Sequence, residues 1–407
     1  MSPGGRDELE RSDERRVRRR LAAVVFVVLL AQVLLYPGID TLVAVFGADT
    51  ALNASMWFLA TEFIAFVVFA APWGAASDAT GRRVPFIVLG AGLGALGYLL
   101  LAVVPGVFDL GFTGILAIRF FQGAATIGAF SLALTMLMDL GGGHGRNMGA
   151  AGIAIGLGTA LGAPLGGQFY EVAPIVPLYI SAILLAIVGG LAWTIPDQHP
   201  DGRRNRLGQV LAGLRARPAL TVPYAFGFID RLTAGFFALV GTLYFRTVFD
   251  LSPGVTGVML ALFFAPFALL QYPFGRLSDR IGRTIPIVFG SMLYGIGVIG
   301  VGIAPGVIWA GVGMVIVGVL GAFMAPATMA LVTDLADPSQ RGIAMGGFNI
   351  FGSLGFLVGI LGGGLVADRY GFTEAFVFAG GLEVVLALGA LPAFLRLTPD
   401  AEAVFDR

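Results

Sequence analysis

The fold of this chain is indicated by a short stretch that is written twice. Residues 74–83 read GAASDATGRR, and residues 275–283 read GRLSDRIGR. Both stretches follow the frame G-x-x-x-D-x-x-G-R, and both lie between two long apolar runs. A loop repeated about 200 residues apart in an apolar chain predicts two similar helix bundles, as in internally repeated membrane proteins.

The composition favours a bilayer as the solvent. Of the 407 residues, 57% are hydrophobic and 12% are charged, and the mean hydropathy is +0.88. A soluble domain carries about 25% charged residues, so this chain could not cover its core with a polar surface. The formal net charge is zero, which does not favour a nucleic-acid partner. With no Cys and two His, a thiol nucleophile and a Cys- or His-rich metal centre are excluded, and no cofactor is expected.

Twelve apolar runs are each long enough to cross roughly 30 Å of hydrocarbon. The first six fall at about 21–46, 55–76, 84–104, 113–138, 147–169 and 175–195, and the second six at about 219–245, 254–275, 285–304, 307–333, 342–366 and 372–395. We therefore predict an all-α membrane protein with twelve transmembrane helices in two pseudo-symmetric six-helix bundles.

The distribution of arginine predicts the orientation of the bundles. All the basic residues are Arg, and most of them fall in segments on the same side as the N-terminus. Cytoplasmic loops carry an excess of positive charge, so both termini are expected in the cytoplasm of a multi-pass plasma-membrane protein. The predicted domains are a basic tail at 1–20, a first bundle at 21–195, a cytoplasmic linker at 196–218, a second bundle at 219–396 and a tail at 397–407.

Three stretches together resemble motifs of the major facilitator superfamily. They are the repeated loop, the run RFFQG at 119–123 in span 4, and the run GTALGAPLGG at 158–167 in span 5. The last run is similar to a motif associated with proton-coupled drug antiporters, with its Pro one place later than in the common form. The resemblance covers nearly the whole chain. It implies the two-bundle fold of that superfamily and transport by alternating access, most like its twelve-span drug:proton antiporter branch.

The resemblance also implies that the repeated loops gate the cytoplasmic side. A carboxylate at the end of one helix can face the positive N-terminal end of another. Asp78 would thus face span 11, and Asp279 would face span 5. The first loop departs from the pattern, with Ala79 where a basic residue is preferred. The alternative is that the loop arginines only set the orientation. The predicted gating residues are Gly74, Asp78, Gly81, Arg82, Arg83, Gly275, Asp279, Arg280, Gly282, Arg283, Arg146 and Arg341.

The glycine-rich run in span 5 has two interpretations. Small residues let membrane helices approach closely, and a Pro bends or locally opens a helix. The run is therefore either ordinary packing or a device that also blocks ion leak between the bundles. Its residues are Gly158, Gly162, Pro164, Gly166 and Gly167.

Charged side chains within spans of the first bundle are the best candidates for a functional site, because a central charge costs roughly 2.5–3.5 kcal/mol on insertion scales. Asp40, Glu62 and Arg119 all lie roughly 10 Å below the external surface, at 1.5 Å per residue. We expect one carboxylate to pair with Arg119 and the other to take a proton, which would compete with a cationic substrate or reset the empty carrier. The alternative is a structural salt bridge that holds spans 1, 2 and 4 together.

The second bundle also carries charges within its spans. Asp230 and Arg231 are neighbours in span 7, so they point about 100° apart and cannot both face one partner. Glu383 lies in span 12, which packs outside the cavity in that superfamily, and we interpret it as structural. The residues predicted to couple protons or line the substrate cavity are Asp40, Glu62, Arg119, Gln122, Asp230 and Arg231.

Two transport functions remain open. The span 5 run and the buried acids favour proton-coupled export of small amphipathic or cationic compounds. Proton-coupled uptake of a small metabolite, such as an organic acid or a sugar, is the alternative. An enzyme is not expected, because the sequence shows no nucleophile–base pair, P-loop or metal cluster. The expected partners are a small-molecule substrate, protons and the lipid bilayer, and we expect a monomer.

Overall fold

The computed structural model describes residues 3–48, 50–108, 110–141, 144–197, 213–215, 217–337 and 340–397. These residues are helical apart from short connections, and no strand occurs among them. The all-α class predicted from the sequence is confirmed. The chain divides into two compact units, one made of Met1–Arg204 with Ser252–Val258 and the other of Asn205–Leu251 with Met259–Arg407.

The helices of the two units follow the apolar runs of the sequence. In the first unit they are α1 (Pro3–Val33), α2 (Ile39–Val45), α3 (Ala51–Thr80), α4 (Val84–Val103), α5 (Gly111–Asp139), α6 (His144–Val172) and α7 (Val176–Trp193). After it come α8 (Thr221–Phe236), α9 (Thr242–Thr247), α10 (Pro253–Ile281), α11 (Thr284–Gly302), α12 (Val307–Leu335), α13 (Arg341–Tyr370) and α14 (Phe372–Leu397). Among the described residues, eleven helices are long and apolar enough to cross a membrane.

The first predicted span is interrupted, and for this reason it is not among those eleven. The helix stops at Val33 and resumes at Ile39, and Pro37 with Gly38 lies in the break. Proline lacks a backbone N–H and disfavours helix at the residue before it. Tyr170 of α6 fills the break, because its hydroxyl donates to the Leu35 carbonyl at 3.0 Å and its ring lies where a side chain at Gly38 would stand. The count of twelve spans stays a prediction.

The basic N-terminal tail is a continuation of the first helix. Arg18 lies in α1 and is buried. Its Nε donates to Asn147 Oδ1 at 2.7 Å, and its Nη2 donates to the Gly141 carbonyl at 2.9 Å. Asn147 in turn donates to the Leu140 carbonyl. These bonds satisfy carbonyls just beyond α5 that the helix leaves without an internal partner, so they tie the middle of α1 to the end of α5 and the start of α6.

The seventh predicted span is a continuous but irregular helix from Pro218 to Thr247. Its middle, Phe237–Gly241, has π-helical geometry between α8 and α9. The Thr242 hydroxyl lies 3.2 Å from two carbonyls of this segment and donates there. Phe237 packs against the rings of Phe263 and Phe376 at 5.5 and 6.0 Å. The π-helical segment thus orients the ring of Phe237 so that it packs within a cluster of aromatic side chains of the second unit.

Glycine seams hold equivalent helix pairs together in the two units. In the first unit, a Cβ on Gly166 of α6 would collide with the backbone of Leu34. In the second unit, a Cβ on Gly355 or Gly359 of α13 would collide with the carbonyls of Phe228 and Leu232 of α8. Helix backbones that approach so closely gain dispersion contacts. In a bilayer these contacts are a main source of helix association, because the lipid tails are as apolar as the side chains and no hydrophobic effect drives the helices together.

Candidate functional site

The centre of the first unit is an ion pair sealed from solvent. Glu62 of α3 and Arg119 of α5 are both 0% exposed, and Arg119 Nη2 lies 2.6 Å from Glu62 Oε2. A buried carboxylate or guanidinium is costly unless it is paired and its remaining donors and acceptors are satisfied. Two opposite charges at hydrogen-bond distance meet the first condition.

An amide and a hydroxyl on α5 extend the ion pair into a network. Arg119 Nη1 donates to Gln122 Oε1 at 2.7 Å, and Gln122 Nε2 lies 3.3 Å from Glu62 Oε1. Gln122 Nε2 also donates to Thr126 Oγ1 at 2.8 Å, while the Thr126 hydroxyl donates to the Gln122 carbonyl. Residues three and four apart share one face of a helix, which explains why the R-x-x-Q spacing brings the guanidinium and the amide onto one carboxylate.

Aromatic rings enclose the guanidinium. Its Cζ lies 4.6 Å from the ring centre of Phe58 and 5.7 Å from that of Tyr98. Both distances fall within the range of a cation–π interaction. The Arg119 Nε is buried and has no hydrogen-bond partner in the described part of the chain, and the buried Tyr98 hydroxyl interacts with Arg119 and Gln122. The rings thus help to close the cluster around the guanidinium.

Two glycines allow the helices to approach this network. A Cβ on Gly123 would lie 2.9 Å from the Glu62 carbonyl oxygen. A Cβ on Gly97 of α4 would lie 2.6 Å from Gln122 Cβ. Real Cβ atoms do not come so near, so any larger residue than Gly at position 123, directly after Gln122, would collide with α3. Gly123 thus sets the short separation of α3 and α5 on which the ion pair depends.

Of the two acids that the sequence analysis placed at the depth of Arg119, Glu62 is the one that contacts it. Asp40 lies in the first turn of α2, just after the break in the first span, and its side chain is partly exposed. It is close enough to Tyr170 of α6 for electrostatic interaction. The structure thus separates a sealed acid from an accessible one within the same unit.

The predicted residues of the second unit lie on α8 and α14. Asp230 and Arg231 are both partly exposed. The aliphatic part of Arg231 packs against Gly352 of α13, whereas Asp230 is near Tyr294 of α11. The two neighbours thus face different helices. Glu383 of α14 is fully buried and contacts hydroxyls of α8 and α11. In neither unit do the described residues include a group of three or more His, Asp or Glu side chains that could hold a metal ion.

The first repeated loop is a capped helix end. Gly81 ends α3 with φ of 68°, a left-handed conformation that glycine adopts without strain. Arg83 is buried and its Nη1 lies 2.7 Å from Asp139 Oδ2 at the end of α5. The backbone N–H groups of Arg83 and Val84 donate to Asp197 Oδ1 at 3.0 and 3.2 Å. Asp197 lies after α7 and caps the start of α4, a role that was not predicted from the sequence.

The second loop repeats this geometry with different exposure. Gly282 also has a positive φ, of 85°. Arg283 contacts Asp279 Oδ1 at 2.6 Å and Asp334 Oδ2 at 3.1 Å. Burial lowers the pKa of the Arg283 guanidinium, but its hydrogen bonds to the two carboxylates outweigh burial, so the pKa is raised. The guanidinium is therefore charged throughout the physiological range.

The remaining predicted gating residues are less constrained within their own units. Arg82 is exposed, and a Cβ on Gly74 would meet open space. Arg341 begins α13, and its Nε donates to the Thr333 carbonyl at 3.2 Å. Arg280 lies in the last turn of α10, and Gly275 lies near Pro326. The side chain of Arg146 lies outside the described residues.

The glycine-rich run of α6 packs on α1. A Cβ on Gly158 would lie 2.8 Å from the Phe26 carbonyl oxygen, and one on Gly162 would lie 2.8 Å from Val33 Cβ. Gly167 faces the backbone of Pro253, in the short segment that belongs to the first unit. Pro164 lies inside α6 without ending it. These contacts show that the run packs closely, and a further role in blocking ion leak stays a prediction.

The family model for the Major Facilitator Superfamily matches residues 21–243 and 224–407. The chain belongs to this superfamily. The members of this superfamily are transporters and not enzymes, and its multi-span members are integral proteins of the plasma membrane. The superfamily's arrangement agrees with the all-helical units and with the apolar helices described above.

Individual relatives match only part of their own length. Multidrug resistance protein 2 of Bacillus subtilis is 31% identical over 145 residues, which are 35% of this chain and 36% of that protein. The human chromaffin granule amine transporter is 28% identical over 267 residues, which are 64% of this chain and 50% of that protein. The chain thus spans between about a third and a half of the length of these relatives. The crystal structure of the nucleoside transporter NupG has the same fold, with a TM-score of 0.73 and 17% identity over 93% of this chain and 99% of that one.

Proposed function

We propose that this superfamily member is a secondary active transporter that exports small amphipathic or cationic compounds in exchange for protons. The observation that carries the proposal is the polar centre of the first unit, where acids and aromatic rings occur together in an apolar bundle. Asp40 is partly exposed and interacts electrostatically with Tyr170, and a carboxylate near an aromatic ring suits an organic cation, because the charge and the ring quadrupole both attract it. The similarity to a multidrug resistance protein and to an amine transporter supports the same class of substrate.

The two acids of the first unit have different tasks in this proposal. Glu62 is already neutralised by Arg119 and sealed from water, so it holds α3 to α5 and fixes the guanidinium. Asp40 is partly exposed, so a proton or a cationic substrate can reach it. A proton and a substrate that compete for one carboxylate move in opposite directions through one cycle. This competition is the chemical basis of antiport.

Arg119 has a further use in the transport step. Its two Nη atoms are committed to Glu62 and Gln122, while its Nε has no partner among the described residues. The fixed positive charge favours the ionised form of nearby acids. An ionised acid is the form that attracts a cationic substrate.

Proton flux in proteoliposomes tests the proposal. Vesicles with an acidic interior and a trapped pH dye receive ethidium, a lipophilic cation, and in parallel benzoate or xylose. Ethidium should collapse the gradient with the wild-type protein, and Asp40→Asn should abolish this flux because the amide cannot exchange a proton. Asp368→Asn, an exposed acid at the end of α13, is the matched control and should transport normally.

The opposite direction of coupling has a clear signature. Alkalinisation of the medium on adding xylose or benzoate, without an imposed gradient, would mean symport and would overturn export. Normal ethidium-driven proton flux in Asp40→Asn would remove Asp40 from the coupling site.

A further inference from the structure

The second unit holds a buried acid whose partners are hydroxyl groups. Glu383 of α14 is 0% exposed. The Ser291 hydroxyl of α11 donates to its Oε2, and Thr233 Oγ1 of α8 lies 3.4 Å from its Oε1. Among the described residues, its hydrogen-bond and ion-pair partners include no Arg. A carboxylate charge in this place would be buried without a counter-charge, which is among the most costly arrangements in a protein.

The hydrogen bonds around Glu383 fit a carboxylic acid better than a carboxylate. The Thr233 hydroxyl has one proton and two acceptors within reach, Glu383 Oε1 at 3.4 Å and the Ile229 carbonyl at 3.3 Å. If the hydroxyl donates to Ile229, as Thr does four residues along a helix, its oxygen is free to accept a proton carried by Oε1. Ser291 then donates to Oε2, and every group has a partner with one proton on Glu383.

A second acid lies near this cluster. Asp230 is three residues before Thr233 on α8, hence on the same helix face, and its charge interacts with that of Glu383. Tyr294 of α11 is close enough to interact electrostatically with both acids. Arg231, the next residue of α8, packs against α13 instead. Two ionised acids in one apolar cluster would repel each other, so at least one of them is expected to be protonated.

We propose that Glu383 is a proton-binding site of the second unit, held by Ser291 and Thr233 and supplied through Asp230. Asp230 is partly exposed and takes a proton from water. The proton passes from the Asp230 acid to the Glu383 carboxylate, which leaves Asp230 ionised and able to take up the next proton. Unloading is the reverse transfer. The coupling role rests on the proposed function, whereas proton binding at Glu383 does not.

Infrared spectroscopy of the purified full chain tests proton binding directly. At neutral pH the wild-type protein should show a C=O stretch of a protonated carboxyl group in an apolar environment. Glu383→Gln should lose this band, and Glu374→Gln, an exposed acid at the start of the same helix, should retain it. The same carboxyl bands in the wild type and in Glu383→Gln would overturn the proposal.

Thermal stability gives a second readout that does not depend on a spectrum. Glutamine has the shape of the protonated acid and carries no charge, so Glu383→Gln should unfold at or above the wild-type temperature at neutral pH. At alkaline pH the wild type should lose stability relative to the variant. A Glu383→Gln protein that fails to fold, or that melts well below the wild type at neutral pH, would contradict a neutral Glu383.

Transport of ethidium separates this inference from the proposed function. Glu383→Gln should still exchange ethidium across the vesicle membrane when the pH is equal on both sides. Its accumulation of ethidium driven by a pH gradient should be at least about tenfold lower than that of the wild type. Full gradient-driven accumulation in the variant would overturn the coupling role of Glu383. A wild-type protein that does not move ethidium would refute the proposed export, and the infrared result would still decide the proton site.

Discussion

Among the residues that the structure describes, each unit buries one acid completely, and the surroundings of the two acids differ. In the first unit, Glu62 meets Arg119 at 2.6 Å and shares Gln122 with it. In the second, Glu383 meets the hydroxyls of Ser291 and Thr233. The apolar surroundings impose the same demand on both acids, because an isolated charge is not tolerated there. Glu62 is stabilised by a counter-charge, whereas Glu383 is surrounded by hydroxyl groups that suit a neutral acid.

This difference separates fixed charge from movable charge. The pair of Glu62 and Arg119 has no net charge as long as both are ionised, and a proton on Glu62 would leave the guanidinium uncompensated. Glu383 has no such partner, so a gained proton removes a charge and a lost proton creates one. An acid of the second kind suits proton uptake and release, whereas one of the first kind suits a permanent joint between helices.

The largest expected effect comes from breaking the ion pair. Arg119→Ala leaves Glu62 buried without a counter-charge, and such a break costs about 3–5 kcal/mol of folding stability. Glu383→Gln should cost far less, because its charge state does not change. Unfolding of both variants in the same detergent, followed by thermal or denaturant titration, measures the contrast.

A double variant sharpens this contrast. Glu62→Gln combined with Arg119→Met removes both charges, and uncharged replacements of a buried pair are often neutral or stabilising. Most of the stability lost in Arg119→Ala should therefore return. If the double variant is as unstable as the single one, the loss comes from packing around Phe58 and Tyr98 and not from the uncompensated charge.

A smaller effect distinguishes the charge state of Glu383. Ser291→Ala removes a donor to the acid, and Ser181→Ala in the first unit removes a donor to the Ala31 carbonyl at 2.8 Å. Both serines are buried. A hydrogen bond between neutral groups contributes about 1 kcal/mol, and one to a charged group about 1.5–3 kcal/mol. We expect the two variants to lose similar stability, and a clearly larger loss for Ser291→Ala would mean that Glu383 is ionised.

The sequence predicted the fold class and the main members of the first site for simple reasons. Apolar runs of membrane-spanning length report helices directly. The spacing of Arg119 and Gln122 places both side chains on one helix face. The break at Pro37 and Gly38 was missed, since a run from 21 to 46 is apolar on both sides of it, although the Pro–Gly pair carries a recognised helix-breaking signal.

The pairing of the acids could not be derived from sequence. Position along a span gives the depth of a side chain but not the direction in which the helix turns it. Asp40 and Glu62 were therefore equivalent candidates for Arg119. Glu383 was interpreted as structural from the place of its helix alone, because Ser291 and Thr233 reach it from two other helices that are distant in sequence.

The repeated loops provide the smallest and most local test of how the units differ. Arg83 has a side chain only 7% exposed and pairs with Asp139, whereas Arg283 is 20% exposed and shares Asp279 and Asp334. Exposed ion pairs contribute about 0.2–1 kcal/mol and weaken with salt. Arg283→Ala should therefore cost less than about 1 kcal/mol, and its effect should shrink at high ionic strength.

Arg83→Ala should cost more and depend less on salt. Its side chain is almost fully buried, and long arginine stems stabilise by packing as well as by charge. Thermal unfolding of the two variants at low and at molar salt separates the two contributions. Equal losses with equal salt dependence would show that both loops rely on exposed charge alone. The two repeated loops would then differ in the exposure of their arginines but not in the stability that these arginines contribute. The asymmetry between the units would be confined to their buried acids.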